Sequence, residues 1–255
     1  MPLHMLKDSL KRVRYDYHLR WLVIKWSFCI FAGCFILWNF FLQTYVYQWT
    51  FGKKYEGELI IYNEDKIIDI PDQPVQRANI AGLNIDIELV KRFETVSRVI
   101  YVDRYSALGT WYRSDDGATL YDKIVPLDVS LATGYWGRHT ECIPPDLEHE
   151  YRCLLGFQNP PGCDGPNKEK NISNNHIIPA NKNVRRGLAI LKAGDIAKLE
   201  GYLVYWQGAG KYSPYRFESA VSLGQVSQQK YGGRRSILCR QLYLTRLSFN
   251  GYSFE

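Results

Sequence analysis

The sequence predicts an N-terminal transmembrane helix followed by a mainly β domain, either a small barrel with an OB-like pattern or a sandwich, with one short helix. Three observations carry this. A long apolar run lies near the N-terminus. A series of short segments then alternates apolar and polar residues. The 255 residues include 19 Tyr, 11 Phe and 7 Trp, aromatic side chains that suit strands better than helices.

The apolar run reads from Trp21 to Tyr47 and exceeds the ~20 residues that a helix needs to cross ~30 Å of hydrocarbon. Trp21 and Trp26 mark one interface and Tyr45, Tyr47 and Trp49 the other, and the stem of Lys25 can snorkel to the near side. The competing reading is a cleaved signal peptide. Its core would be shorter and end in small residues, whereas this one runs into bulky aromatics, so an uncleaved signal-anchor is expected. Residues 1–49 hold six basic and two acidic residues, against 26 and 24 in the remainder. That excess puts residues 1–20 inside as a basic cytoplasmic tail, with the span at 21–47. Asn39, polar within the span, either bonds across a helix pair or sits alone near the outer leaflet. The expected location is a bacterial inner membrane, single-pass, with a periplasmic C-terminal domain.

Residues 48–80 read as a connecting region, with Glu58–Tyr62 and Lys66–Ile70 set to pair as a hairpin. The β-rich domain, 81–255, opens with strands at Leu83–Ile87 and Thr95–Val102, and Ser114–Gly117 is a turn. Strands follow at Asp128–Ala132, Tyr215–Leu223 and Ile237–Leu247. The one helix runs over Ala180–Lys192, with Val184, Leu188 and Leu191 on one face, Asn181 to cap it and Gly194 to end it. In the strand from Gly194 to Val204, Gly201 marks a bulge or a tight bend, as in OB-type barrels. Residues 138–170, rich in Pro, Gly and charge, form a loop insertion.

Cys29 and Cys34 fall in the span as small apolar residues. Cys142, Cys153, Cys163 and Cys239 lie outside, where disulfides form. At least one disulfide is expected in this group, with Cys239 as a fourth partner that pins the loop to the core; the pairing stays open. The spacings lack C-x-x-C, so neither a metal nor a cofactor is expected.

Val125–Ala132 with Trp136-Gly137, then Asn174–Ala180, Gly194–Val204, Ser219–Ser222 and Leu238-Cys239, together resemble a family of uncharacterised bacterial envelope proteins. Its members share A-N-x-H-x-I-P-A and G-D-x-x-x-L-x-G-Y-L-V motifs. The resemblance covers roughly 94–247 and implies fold and envelope location. The family has no established activity. Asn171 and Ile172 replace a His and a Ser of its pattern, and the cysteine-bearing loop is extra.

No nucleophile elbow, H-E-x-x-H or P-loop is present. His176, beside Asn174, reads either as a general base or as a ring that locks the chain before the helix through backbone carbonyls. Asp115-Asp116 point outward from a turn, and His139 and His149 with nearby glutamates read as a solvated loop rather than a metal site. Trp136, Tyr205 and Trp206, with Tyr202, Tyr212 and Tyr215, read as a binding face or as ordinary cross-strand packing. Two functions are expected. The first is a scaffold or binding module docking an envelope protein partner. The alternative is an envelope hydrolase in which His176 works with Asn174, Asp128 or Ser219. Nucleic acid is not expected as a partner, because the charge of the domain is nearly balanced, the domain lies on the wrong side of the membrane and phosphate binding needs a concentrated basic groove.

Overall fold

The structure is a computed structural model that describes residues 21, 23–35, 37, 38, 42–80, 82–105, 121–150, 152–208, 216, 217, 219, 230, 231, 234, 235 and 239–255. The basic tail 1–20, Asn39, the turn at 114–117, Tyr212, Tyr215 and most of the expected strand at 215–223 lie outside the described residues. The chain divides into two units, Met1–Trp49 and Thr50–Glu255. In the first, the described residues from Trp21 onward are helical. Among the described residues no helix is both long and apolar enough to cross a membrane.

The second unit is mainly β. Its principal strands are β1 (Lys66–Asp69), β2 (Val75–Ile80), β3 (Leu83–Arg104), β4 (Leu127–Ala132), β5 (Ile172–Pro179), β6 (Ile196–Gly208), β7 (Cys239–Phe249) and β8 (Tyr252–Phe254). The two strands expected at 83–87 and 95–102 are one continuous element. Its run of β-branched and aromatic residues buries alternate side chains such as Ile85, Ile87 and Phe93. β3 pairs with β4, β4 with β5, β5 with β7 in parallel, β7 with β6, and β6 back onto β3, so five strands close a ring of hydrogen bonds.

Closing so small a ring requires sharp bends, and the ladder shifts register at Val99/Tyr101, Leu89/Lys91 and Leu244/Arg246. Gly201 faces the last of these. A Cβ there would stand 2.2 Å from the Tyr243 carbonyl oxygen, so only glycine lets the strands approach.

The expected hairpin at 58–70 does not form. β1 pairs with Lys91–Glu94 of β3 instead, and β2 extends the same sheet along Leu83–Glu88. Between the two segments the Asp65 carboxylate is buried and meets the buried Arg240 of β7 at 2.5 Å, while the Tyr62 amide donates to the Val96 carbonyl of β3, so each segment is held against the barrel rather than against the other.

Helix α1 (Gly134–Arg138) was not expected; α2 (Lys182–Ile190) was. The Asn181 side chain accepts hydrogen bonds from the amides of Asn183 and Val184. Arg104 donates to the Leu191 carbonyl at the other end, at 2.5 Å. Loop 138–170 is stapled by Cys142–Cys163, around a cluster that holds Trp136 and Leu154. Replacing both cysteines by serine is expected to cost about 2–4 kcal/mol, read as a lowered melting temperature with no change in the thiols of Cys153 and Cys239.

Candidate functional site

β4 and β5 are short and buried along their whole length, yet each carries two polar residues in the same phase: Asp128 and Ser130, Asn174 and His176. Strand register aligns them. Asp103, Asp128, His176 and Gln241 form one row across β3, β4, β5 and β7. Tyr101, Ser130, Asn174 and Cys239 form the next. Paired residues share a face of the sheet, so all eight side chains point the same way.

The segment around the two-residue strand Cys153–Leu154 lies over this face. The Arg152 guanidinium bonds Asp128 at 2.8 and 3.2 Å, Asp122 at 2.6 Å and the Val125 carbonyl at 2.9 Å. It also stacks on the Tyr105 and Tyr121 rings, at 3.6 and 4.5 Å. Arg152 has φ 65°, left-handed for a residue with a Cβ, a strain of the kind concentrated at functional sites. Asn174 donates to the Arg152 carbonyl at 2.8 Å and accepts from Ser130 at 3.1 Å. It thereby fixes the backbone next to Cys153.

Three groups meet beneath. His176 Nδ1 lies 2.8 Å from Asp128 Oδ1. The Cys239 thiol donates to Cys153 Sγ at 2.9 Å. The imidazole of His176 bonds Cys153 as well. Burial pulls His176 down, but the charge and hydrogen bond of Asp128, with the bond to Cys153, outweigh it and raise the imidazole to about 9. Burial pushes Asp128 up, and His176 followed by Arg152 brings it to about 2. The bond from Cys239, and then His176, hold the Cys153 thiol at about 5 against burial. Cys239 goes the other way, held protonated by its bond to Cys153 and by burial. These directions favour the thiolate at Cys153, the protonated thiol at Cys239 and the protonated ring at His176, which Asp128 orients.

Of the residues singled out from the sequence, His176, Asn174 and Asp128 converge here. Cys153 and Cys239 converge too, but as thiols rather than as a disulfide. Ser219 is not bonded to His176; its hydroxyl accepts from the Gln241 amide at 3.1 Å. Trp136 is fully buried, donating to the Pro166 carbonyl at 3.1 Å, and serves the core under the stapled loop. Trp206 is buried against Gln241, while Tyr205 lines a shallow cavity with Val75, Asp86 and Glu88.

His139 bonds Glu141 in the exposed loop, whereas His149 joins the site's edge, 3.2 Å from the Ser130 hydroxyl. No metal was expected from cysteine spacing. Yet Cys153, His176 and Cys239 bring their ligand atoms within 4.8 Å of one another, the single such group among the described residues. Arg152 was missed. The signal that could have exposed the face is the run of polar residues, Ser173 to His176, between the apolar Ile172 and Ile177, together with Asp128 and Ser130 in an otherwise apolar strand. Compared with protein-family models, with curated proteins and with solved structures, the chain matches none of them.

Proposed function

We propose that this chain is a single-pass membrane protein whose extracytoplasmic domain, an OB-type barrel, carries a thiol–disulfide exchange centre. Cys153 is the attacking thiolate, Cys239 the second thiol, and His176, held by Asp128, the proton donor and acceptor. The observation that carries the reading is the 2.9 Å approach of the two thiols beside the His176–Asp128 pair. The barrel reading is supported by the closed strand order and by the helix between its third and fourth strands. The anchor is supported by the basic tail and by the apolar side chains exposed along the N-terminal unit, Trp26, Phe28 and Phe31 among them, a surface suited to lipid. The resemblance to envelope proteins agrees with that placement, as does the Cys142–Cys163 bond.

The chemistry balances. The Cys153 thiolate attacks a substrate disulfide, forming a mixed disulfide, and the released thiolate takes the His176 proton. Neutral His176 then removes the Cys239 proton. The Cys239 thiolate attacks Cys153 Sγ, and the second substrate thiolate leaves with the proton that His176 holds. Two electrons pass to the substrate; the reverse sequence oxidises a substrate dithiol.

A hydrolase would share His176 and Asp128, but the second thiol favours exchange, because in an oxidising compartment it would capture the nucleophile as a disulfide. A mere staple would not call for the buried charges of Asp128, Arg152, Asp122 and His176, which are costly to desolvate. The envelope partner expected of a scaffold becomes, on this reading, a substrate protein bearing a cysteine pair.

The test is reduction of a labelled disulfide peptide by the full-length protein in detergent, with glutathione as reductant. Wild type is expected to turn over. Cys153→Ser should lose activity by about a thousandfold or more. Cys239→Ser, reduced and then freed of glutathione, should stop after one attack, with the peptide bound at Cys153 by mass. A wild-type rate no higher than the uncatalysed one refutes the reading.

A further inference from the structure

We propose that the reduced site also binds a soft divalent cation of the zinc class, through the Sγ atoms of Cys153 and Cys239 and a ring nitrogen of His176. This rests on the reading of the two cysteines as a reversible dithiol. It adds a means of control, because a bound cation and a Cys153–Cys239 disulfide exclude each other.

The donor set is soft, and its three atoms already lie within 4.8 Å of one another. Tetrahedral zinc, with bonds of about 2.3 Å to sulfur and 2.0–2.1 Å to nitrogen, sets sulfurs about 3.8 Å apart and sulfur and nitrogen about 3.5 Å apart. The thiols at 2.9 Å therefore need to open by roughly 1 Å, a side-chain rotation. Asp128, 2.8 Å from Nδ1, commits that nitrogen and leaves Nε2 for the metal. A carboxylate behind a ligating histidine is the recurrent outer support of zinc sites. Two ligands stand on the paired strands β5 and β7, and the third is placed by the bond from Asn174 to the Arg152 carbonyl. Two thiolates and a dication sum to zero, which suits a buried position. Among the described residues no fourth Cys, His, Asp or Glu joins the group. The remaining position is thus open to water or to a substrate thiolate, as in three-ligand sites.

The test uses full-length, reduced, metal-stripped protein carrying Cys29→Ser and Cys34→Ser, titrated with Co2+ alone and then with Zn2+. The expected result is one Co2+ per chain with thiolate-to-cobalt charge-transfer absorption, displaced by one equivalent of Zn2+. Asp128→Asn should keep the stoichiometry with affinity weakened about 10–100-fold. Cys153→Ser and Cys239→Ser should lose the band, and oxidation to the disulfide should abolish it. Slower alkylation of wild-type Cys153 with equimolar Zn2+ gives a readout that needs no variant to fold. No charge-transfer band and no protection in reduced wild type would overturn the inference, and so would a band that survives Cys153→Ser. Exchange turnover without cobalt binding removes the metal and leaves the exchange reading. Cobalt binding in a protein whose two thiols never join removes the exchange reading and leaves the metal.

Discussion

Asp128→Ala is expected to destabilise the domain by about 3–5 kcal/mol, because it removes the carboxylate that two buried cationic groups share. Arg152 loses two of its bonds and His176 its only carboxylate partner among the bonds described. For a domain of this size, that is a fall of about 6–20 °C in melting temperature, read on the full-length protein in detergent. A change of under about 1 kcal/mol would mean that the network is not held as described.

The pH profile of the reduced, metal-free protein follows from the same groups. The folded pKa of Asp128, about 2, lies below its ordinary 3.8, so its stabilisation is present above 3.8 and lost as pH falls through 2. His176 is raised from 6.5 to about 9, so its contribution is present below 6.5 and lost as pH rises through 9. Cys153 is lowered from 9.0 to about 5, so its contribution is present above 9.0 and lost as pH falls through 5. Between 6.5 and 9 the last two offset, since folding moves one proton from thiol to imidazole. Stability should therefore be flat there, and Cys153→Ser should turn the plateau into a decline with rising pH. A wild-type profile that declines steadily from 6.5 to 9 would contradict the thiolate–imidazolium assignment.

The second large effect lies on the other phase of β7. Arg240 is fully buried, with Asp65 at 2.5 Å and the Phe93 ring at 5.3 Å. Arg240→Ala or Asp65→Ala alone should cost about 3–5 kcal/mol by leaving an unpaired buried charge. The double variant Arg240→Met with Asp65→Leu should recover most of that loss, since apolar replacement of a buried pair is often neutral or stabilising. Recovery would show that the loss in the single variants comes from the stranded charge rather than from a net contribution of the pair.

The parts of this architecture that were legible are those fixed by neighbours in sequence. Asn181, Val184 and Leu188 announce α2, and the glycine in Gly194–Val204 announces the close approach at Tyr243. His176 stood out beside Asn174 at the entry to α2, with Asp128 as a partner to be sought in space, whereas the strand Ile172–Pro179 that carries His176 and Asn174 was not expected. The Pro-rich loop announced a disulfide without its pairing. What was not legible depends on contacts distant in sequence. Cys153 and Cys239 meet across 86 residues only because β5 and β7 pair in parallel and place Cys239 opposite Asn174. Spacing rules for metal ligands do not reach the Cys153, His176 and Cys239 group, since its three side chains come from three separate segments. Asp65 reads from the sequence as part of the turn between Glu58–Tyr62 and Lys66–Ile70, and its partner Arg240 lies 175 residues away on β7, while Lys66–Asp69 pairs with β3.

The most direct test of the central claim is the midpoint potential of the Cys153–Cys239 couple. The full-length protein would be equilibrated with glutathione buffers of stepped poise, and the crosslink between the two peptides followed by mass, with Cys142–Cys163 as the internal structural reference. One two-electron transition is expected among the exchange catalysts, at about −120 to −270 mV. A midpoint below about −300 mV, where structural disulfides lie, would contradict it. So would the absence of any Cys153–Cys239 crosslink at every poise.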